Sequence, residues 1–175
     1  MVYKLQNIAV SVLMFLLISN SAAQNINYTV SIKNETEISE NVISFDVFIK
    51  AQEETFSLSS YQFIFEFNSA KLNGGTASFE YVNGSSTILN TPKASGVSSI
   101  DGNLELNAGS GVGNDIIYTD EVKIGSFRII NSSAFSADPL NLEWNFSGIN
   151  YTALFAESFS ETTSEDSHLN SSEQG

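Results

Sequence analysis

Tyr61-Gln62-Phe63-Ile64-Phe65-Glu66-Phe67-Asn68 sets four aromatic rings at every second position, with Gln62, Glu66 and Asn68 in the alternate phase. Successive side chains of a strand point to opposite faces, so this stretch reads as a strand with an aromatic face on a core and a mainly polar face outside. The same period of two recurs outward in both directions. Ile26, Tyr28, Val30 and Ile32 alternate with polar residues, as do Ile43, Phe45, Val47 and Ile49. Ala77, Phe79 and Tyr81 follow the turn Asn73-Gly74-Gly75, and Leu104 and Leu106 follow Asp101-Gly102. Leu140, Leu142, Trp144 and Phe146 alternate with Asn141, Glu143 and Asn145, and Tyr151, Ala153 and Phe155 make a last strand. Between Val122 and Ile130 the phase changes, which a bulge near Gly125 would reconcile. No window carries a sustained apolar stripe at helical spacing, so parallel βαβ units are disfavoured. The expected fold is all-β, an antiparallel two-sheet β-sandwich of about eight to nine strands, of cohesin-like or jelly-roll type.

The ends of the chain read differently. Lys4 followed by the apolar run Ile8–Ile18 and then Ser21-Ala22-Ala23 has the order of a secretory signal peptide, with cleavage before Gln24. That run is short for a roughly 30 Å hydrocarbon core, so no membrane insertion is expected after cleavage. The expected organisation is a signal peptide over 1–23, a β-sandwich over 24–156, and a disordered acidic Ser/Thr-rich tail or linker over 157–175. Cysteine is absent and the formal net charge is −13. Export without disulfides fits a bacterial envelope or surface protein, and such acidity repels nucleic acid. The expected location is secreted, extracellular or at the cell surface.

Three stretches carry a resemblance: Tyr61–Asn68 leading to Asn73-Gly74-Gly75-Thr76, Ile124-Gly125-Ser126-Phe127-Arg128-Ile129-Ile130-Asn131 with Phe135, and Leu142-Glu143-Trp144-Asn145-Phe146. Across Ile26–Phe155 the pattern resembles a cohesin-like or cellulose-binding-type sandwich of exported Bacteroidota-type proteins, which often end in a type-nine-secretion sorting domain. The resemblance carries no catalytic residues; the expected role is a non-catalytic secreted or cell-surface module for binding or scaffolding toward an extracellular protein or polysaccharide, the alternative being a carbohydrate-binding module or an accessory domain of an extracellular hydrolase. The resemblance also implies either another export route or a natural chain that continues beyond Gly175.

Catalytic chemistry has little to draw on, and no enzyme activity or cofactor is expected. The single histidine, His168, is in the polar tail, so no Ser-His-Asp arrangement can be drawn within the sandwich. Asp46 and Glu66, on the polar faces of strands read as neighbours, are a conceivable acid/base pair but are read as solvated residues. Calcium, which takes oxygen ligands from loops, has weak candidates in Asp115, Asp120 and Glu121 around the glycine-rich stretch Gly109–Asp115, which lacks the ligand spacing of a calcium loop. For a sugar or protein ligand, Tyr118 and Tyr151 lie outside the clearest stripes, and Phe48 breaks the polar phase of its strand. Trp144, in phase with Leu142 and Phe146, is assigned to the core rather than to a stacking platform.

Overall fold

The computed structural model describes residues 26–100, 103–147, 150–158 and 166–168. The expected signal peptide lies outside these residues, as does most of the expected tail. The described residues form two antiparallel sheets packed face to face, with no α-helix. In chain order the strands are β1 Tyr28–Ser39, β2 Val42–Ala51, β3 Phe56–Phe67, β4 Ala77–Tyr81, β5 Lys93–Ile100, β6 Asn103–Gly109, β7 Asp115–Ile117, β8 Val122–Asn131, β9 Glu143–Trp144, β10 Ala153–Ser158 and β11 Asp166–His168. One sheet has the order β1-β2-β8-β4; the other runs β11-β10-β3-β6-β5, with β7 and β9 also paired to β3.

The sequence alternation becomes the core. Phe45, Phe63, Phe65, Phe67 and Phe127 are fully buried between the sheets, and Phe65 touches the rings of Phe45, Phe79, Phe127 and Trp144 at centroid separations of 4.7–6.1 Å. Each large ring removed from water stabilises the sandwich by roughly 1.5–3 kcal/mol, and edge and stacked contacts add to that. β3 is the hub because its length lets four strands share its two edges. Its first half pairs with β7 and β10, its second half with β6 and β9.

The bulge near Gly125 is present. Val47 pairs with Gly125 but Phe48 pairs with Lys123, so Ile124 is the extra residue. Ile124 and Gly125 are consequently both buried. A Cβ on Gly125 would stand 2.7 Å from the Tyr81 ring, so glycine lets that ring close over the bulge.

Several details depart from the alternation. The strands number eleven among the described residues because β7, β9 and β11 are two or three residues long, too short to show a period. β5, Gly- and Ser-rich, carries little apolar signal. Leu140–Phe146 does not form a full strand; only Glu143–Trp144 pairs with β3. Asn141 there adopts a left-handed backbone (φ 49°), which interrupts the extended run. Leu140 and Trp144 remain buried while Leu142 and Phe146 are half-buried. Ile64, in the polar phase of β3, is also buried, because the Asn145 amide and the Thr152 hydroxyl both donate to its carbonyl and cover the outer face there.

Candidate functional site

Two apolar side chains are held almost wholly in water. Leu89 and Val112 are each 93% exposed, on the loops preceding β5 and β7. A polar network fixes both loops against the start of β3. Asp115 is buried, and its two carboxylate oxygens accept the backbone amides of Leu89 (2.7 Å) and Asn90 (2.9 Å). The Asn90 side-chain amide donates to the carbonyl of Gly111 (2.7 Å), tying one loop to the other. The Tyr61 hydroxyl donates to the Asn90 carbonyl (2.8 Å), and the Gly113 amide to the Ser59 carbonyl (2.7 Å). Burial pushes the Tyr61 hydroxyl far up, and the charges of Asp115 and Tyr81 push the same way, so it stays a donor. A Cβ on Gly113 would come within 2.6 Å of Asn90 Cβ, so a glycine is needed where the loops cross. The network costs a buried carboxylate, and its product is a rigid pair of aliphatic tips.

The residues singled out from sequence distribute around this arrangement. Asp115 spends both oxygens on backbone amides, Glu121 is paired with Lys33 at 2.5 Å, and Asp120 is exposed. These three carboxylates are therefore not brought together, and among the described residues no group of three His, Asp or Glu side chains is placed to hold a metal ion. Tyr118 is exposed just past β7, its carbonyl accepting the Ala51 amide; Tyr151 is exposed, its carbonyl accepting the Gln62 side-chain amide.

Phe48 is half-buried on the outer face of the β1-β2-β8-β4 sheet, with Lys33 Nζ 5.4 Å and Lys123 Nζ 5.9 Å from its ring centre. The two ammonium groups use its π-face, which explains an aromatic in a polar phase. Beside it Asp46 accepts from Lys123 (2.8 Å), Ser126 (2.6 Å) and Asn34 (2.8 Å). Burial works to raise the Asp46 carboxyl, but these hydrogen bonds and the Lys123 charge outweigh it and hold the group below its ordinary value.

Asp46 and Glu66 do not approach one another. They stand on strands of different sheets, on opposite outer faces, because β2 and β3 separate at the crossing between sheets. The register instead sets Glu66 directly opposite Glu105 on one side and Glu143 on the other. Glu105, 2% exposed, accepts from Asn145 (3.2 Å) and Ser98 (3.3 Å) and is closed to a substrate.

A cleft of about 340 Å³ opens between the sheet edges, where Ile32–Glu35 of β1 faces Leu142, Glu143 and Trp144. Trp144, 8% exposed, forms part of its floor and belongs to the core, as its phase in the sequence implied. A smaller cleft of about 260 Å³ adjoins it through Glu143 and holds Glu66, Asn68 and Asn141.

Neither the tips nor the cleft was readable in advance. Val112 stands alone between two glycines, Leu89 follows the buried Ile88, neither belongs to a periodic stripe, and their anchors Asp115 and Asn90 are 25 residues apart in sequence. Compared with known protein families, curated proteins and solved structures, the chain matches none.

Proposed function

We propose that this chain is a non-catalytic module of an exported or surface-attached protein, working by contact with another macromolecule outside the cell. The observation that carries this reading is the pair of tips: Leu89 and Val112 are 93% exposed yet rigidly braced. Leaving two aliphatic side chains in water forgoes their burial energy, and fixing them by a buried carboxylate is understandable if a partner covers them. The amino-terminal signal pattern supports export. Protein is the favoured partner, because aliphatic anchors suit an apolar pocket better than a sugar face. A polysaccharide is the second reading, favoured by the exposed ring of Tyr118.

The test is site-specific photo-crosslinking in the native host, with the photoreactive residue at position 89, at position 112, or at exposed Ser78 on β4 as a control. Adducts at 89 and 112 well above those at 78 are expected, and they should be removed by protease rather than by glycosidases. Equal labelling at all three positions would end the proposal. Glycosidase-sensitive adducts would move the role to polysaccharide binding.

A further inference from the structure

Glu143, Glu66 and Glu105 stand in one row across β9, β3 and β6, because Glu66 is the register partner of both others. Like charges set directly opposite one another across strands repel and lower stability. Glu105 is held by the Asn145 amide and the Ser98 hydroxyl, both neutral donors. Among the described residues no lysine or arginine forms an ion pair with any of the three. Nor, among those residues, are carboxylates gathered closely enough to ligate a metal ion. Such a row is matched by a cation whose charge is spread over a broad, flat group.

The row ends at the 340 Å³ cleft, where Glu143 shares the lining with Ile32, Glu35, Leu142 and Trp144. The donors along the β1 wall are already engaged, Lys33 by Glu121 and the Asn34 amide by Asp46. Glu35 and Glu143 are exposed, and their side chains have no partner among the described residues. Trp144 is 8% exposed, yet its indole N–H meets no acceptor among those residues. That N–H is not among the polar atoms sealed from solvent, so it opens to the cleft that Trp144 floors. An indole N–H this deep ordinarily finds a partner. We infer that the cleft receives an arginine side chain of a partner polypeptide. Its guanidinium lies between Glu35 and Glu143, its methylene stem rests on Ile32, Leu142 and Trp144, and a main-chain carbonyl of the partner accepts the indole N–H. Arginine fits better than lysine, since its planar group stacks on aromatic rings and can divide its donors between two carboxylates. The formal net charge of −13 makes a basic partner a better occupant than a second copy of this chain. The site is separate from the tips: Asp115 pairs with Leu58 and Trp144 with Phe65, roughly 23 Å apart along β3 at about 3.3 Å per residue.

Trp144 is the only tryptophan, so its indole N–H gives a single nuclear magnetic resonance signal that reports on the cleft. The probe is an acetylated, amidated pentapeptide with arginine at the centre of glycine and serine residues. Counterparts carry lysine or citrulline at that position, citrulline being the uncharged isostere. All are titrated into the full chain at about 0.1 M salt, where charges beyond roughly 10 Å are screened. The arginine peptide should move the indole signal saturably, binding at least about tenfold tighter than the citrulline peptide and about threefold tighter than the lysine peptide. Glu35→Gln and Glu143→Gln should each weaken it by about fivefold or more, and neither should lower the melting temperature. Glu53→Gln removes the same charge from the exposed β2–β3 loop and should change binding by less than about twofold. Absence of binding, equal binding of the citrulline peptide, or an equal loss in Glu53→Gln would overturn the inference. So would guanidinium ion binding as tightly as the peptide, which would make the cleft a small-cation site, or calcium displacing the peptide, which would assign the carboxylates to a metal ion.

Discussion

The aromatic cluster around Phe65 and the braced tips at Leu89 and Val112 put apolar side chains to opposite uses. In the cluster, rings are held by other rings, and the sheets exist to bury them. At the tips, apolar groups are held outward by hydrogen bonds to a buried carboxylate and an asparagine. Non-directional burial stabilises the first region, so many residues share the load there. Directional polar bonds place the second, so a few residues decide it. Stability and contact should therefore be separable by mutation.

The largest effect should come from the cluster. Phe65→Ala should lower unfolding free energy by about 3–5 kcal/mol in denaturant titration, as when a packed ring is emptied. Wild-type Trp144 should emit blue-shifted and resist acrylamide quenching; in Phe65→Ala that protection should fall. A loss under about 1 kcal/mol would break the comparison, since the cluster would not then be what holds the sheets.

Asp115→Ala should cost less, about 1–3 kcal/mol, by leaving the Leu89 and Asn90 amides without acceptors. Its signature is local. Hydrogen exchange at those two amides should accelerate by far more than at Phe63 or Phe127. Uniform acceleration would mean that the brace and the core are one cooperative unit.

The Asp46 network gives a smaller, pH-dependent effect. Its carboxyl titrates lower in the folded chain than unfolded, so its contribution is whole above the ordinary aspartate value of about 3.9. The contribution is lost as pH falls through the folded value beneath that. The stability gap between wild type and Asp46→Asn should be level between about pH 6 and 8 and should narrow below about pH 4. A gap that widens on acidification would contradict the arrangement of Lys123, Ser126 and Asn34 around this group.

The smallest effect belongs to the tips. Leu89→Ser with Val112→Ser should change stability by less than about 0.5 kcal/mol, as for exposed sites, while abolishing the contact detected by crosslinking. A large loss of stability would show that these side chains serve the fold.

Local alternation is enough to specify the two-faced strands, and through them the sandwich. Tyr61, Phe63, Phe65 and Phe67 are buried as their period requires, Trp144 joins them, and the phase change near Gly125 is the bulge it implied. Alternation is a local property, so local sequence reveals it. Long-range packing set which strands meet. It put Asp46 and Glu66 on opposite outer faces, aligned Glu66 with Glu105 and Glu143, and covered Ile64 with Asn145 and Thr152. It also turned Asp115 from a conceivable calcium ligand into the acceptor for a loop 25 residues away. A carboxylate in a glycine-rich loop has the same local sequence whether it awaits a cation or two amides. What distinguishes them is the chain brought beside it, and that follows from global packing of the sheets rather than from any neighbouring residue.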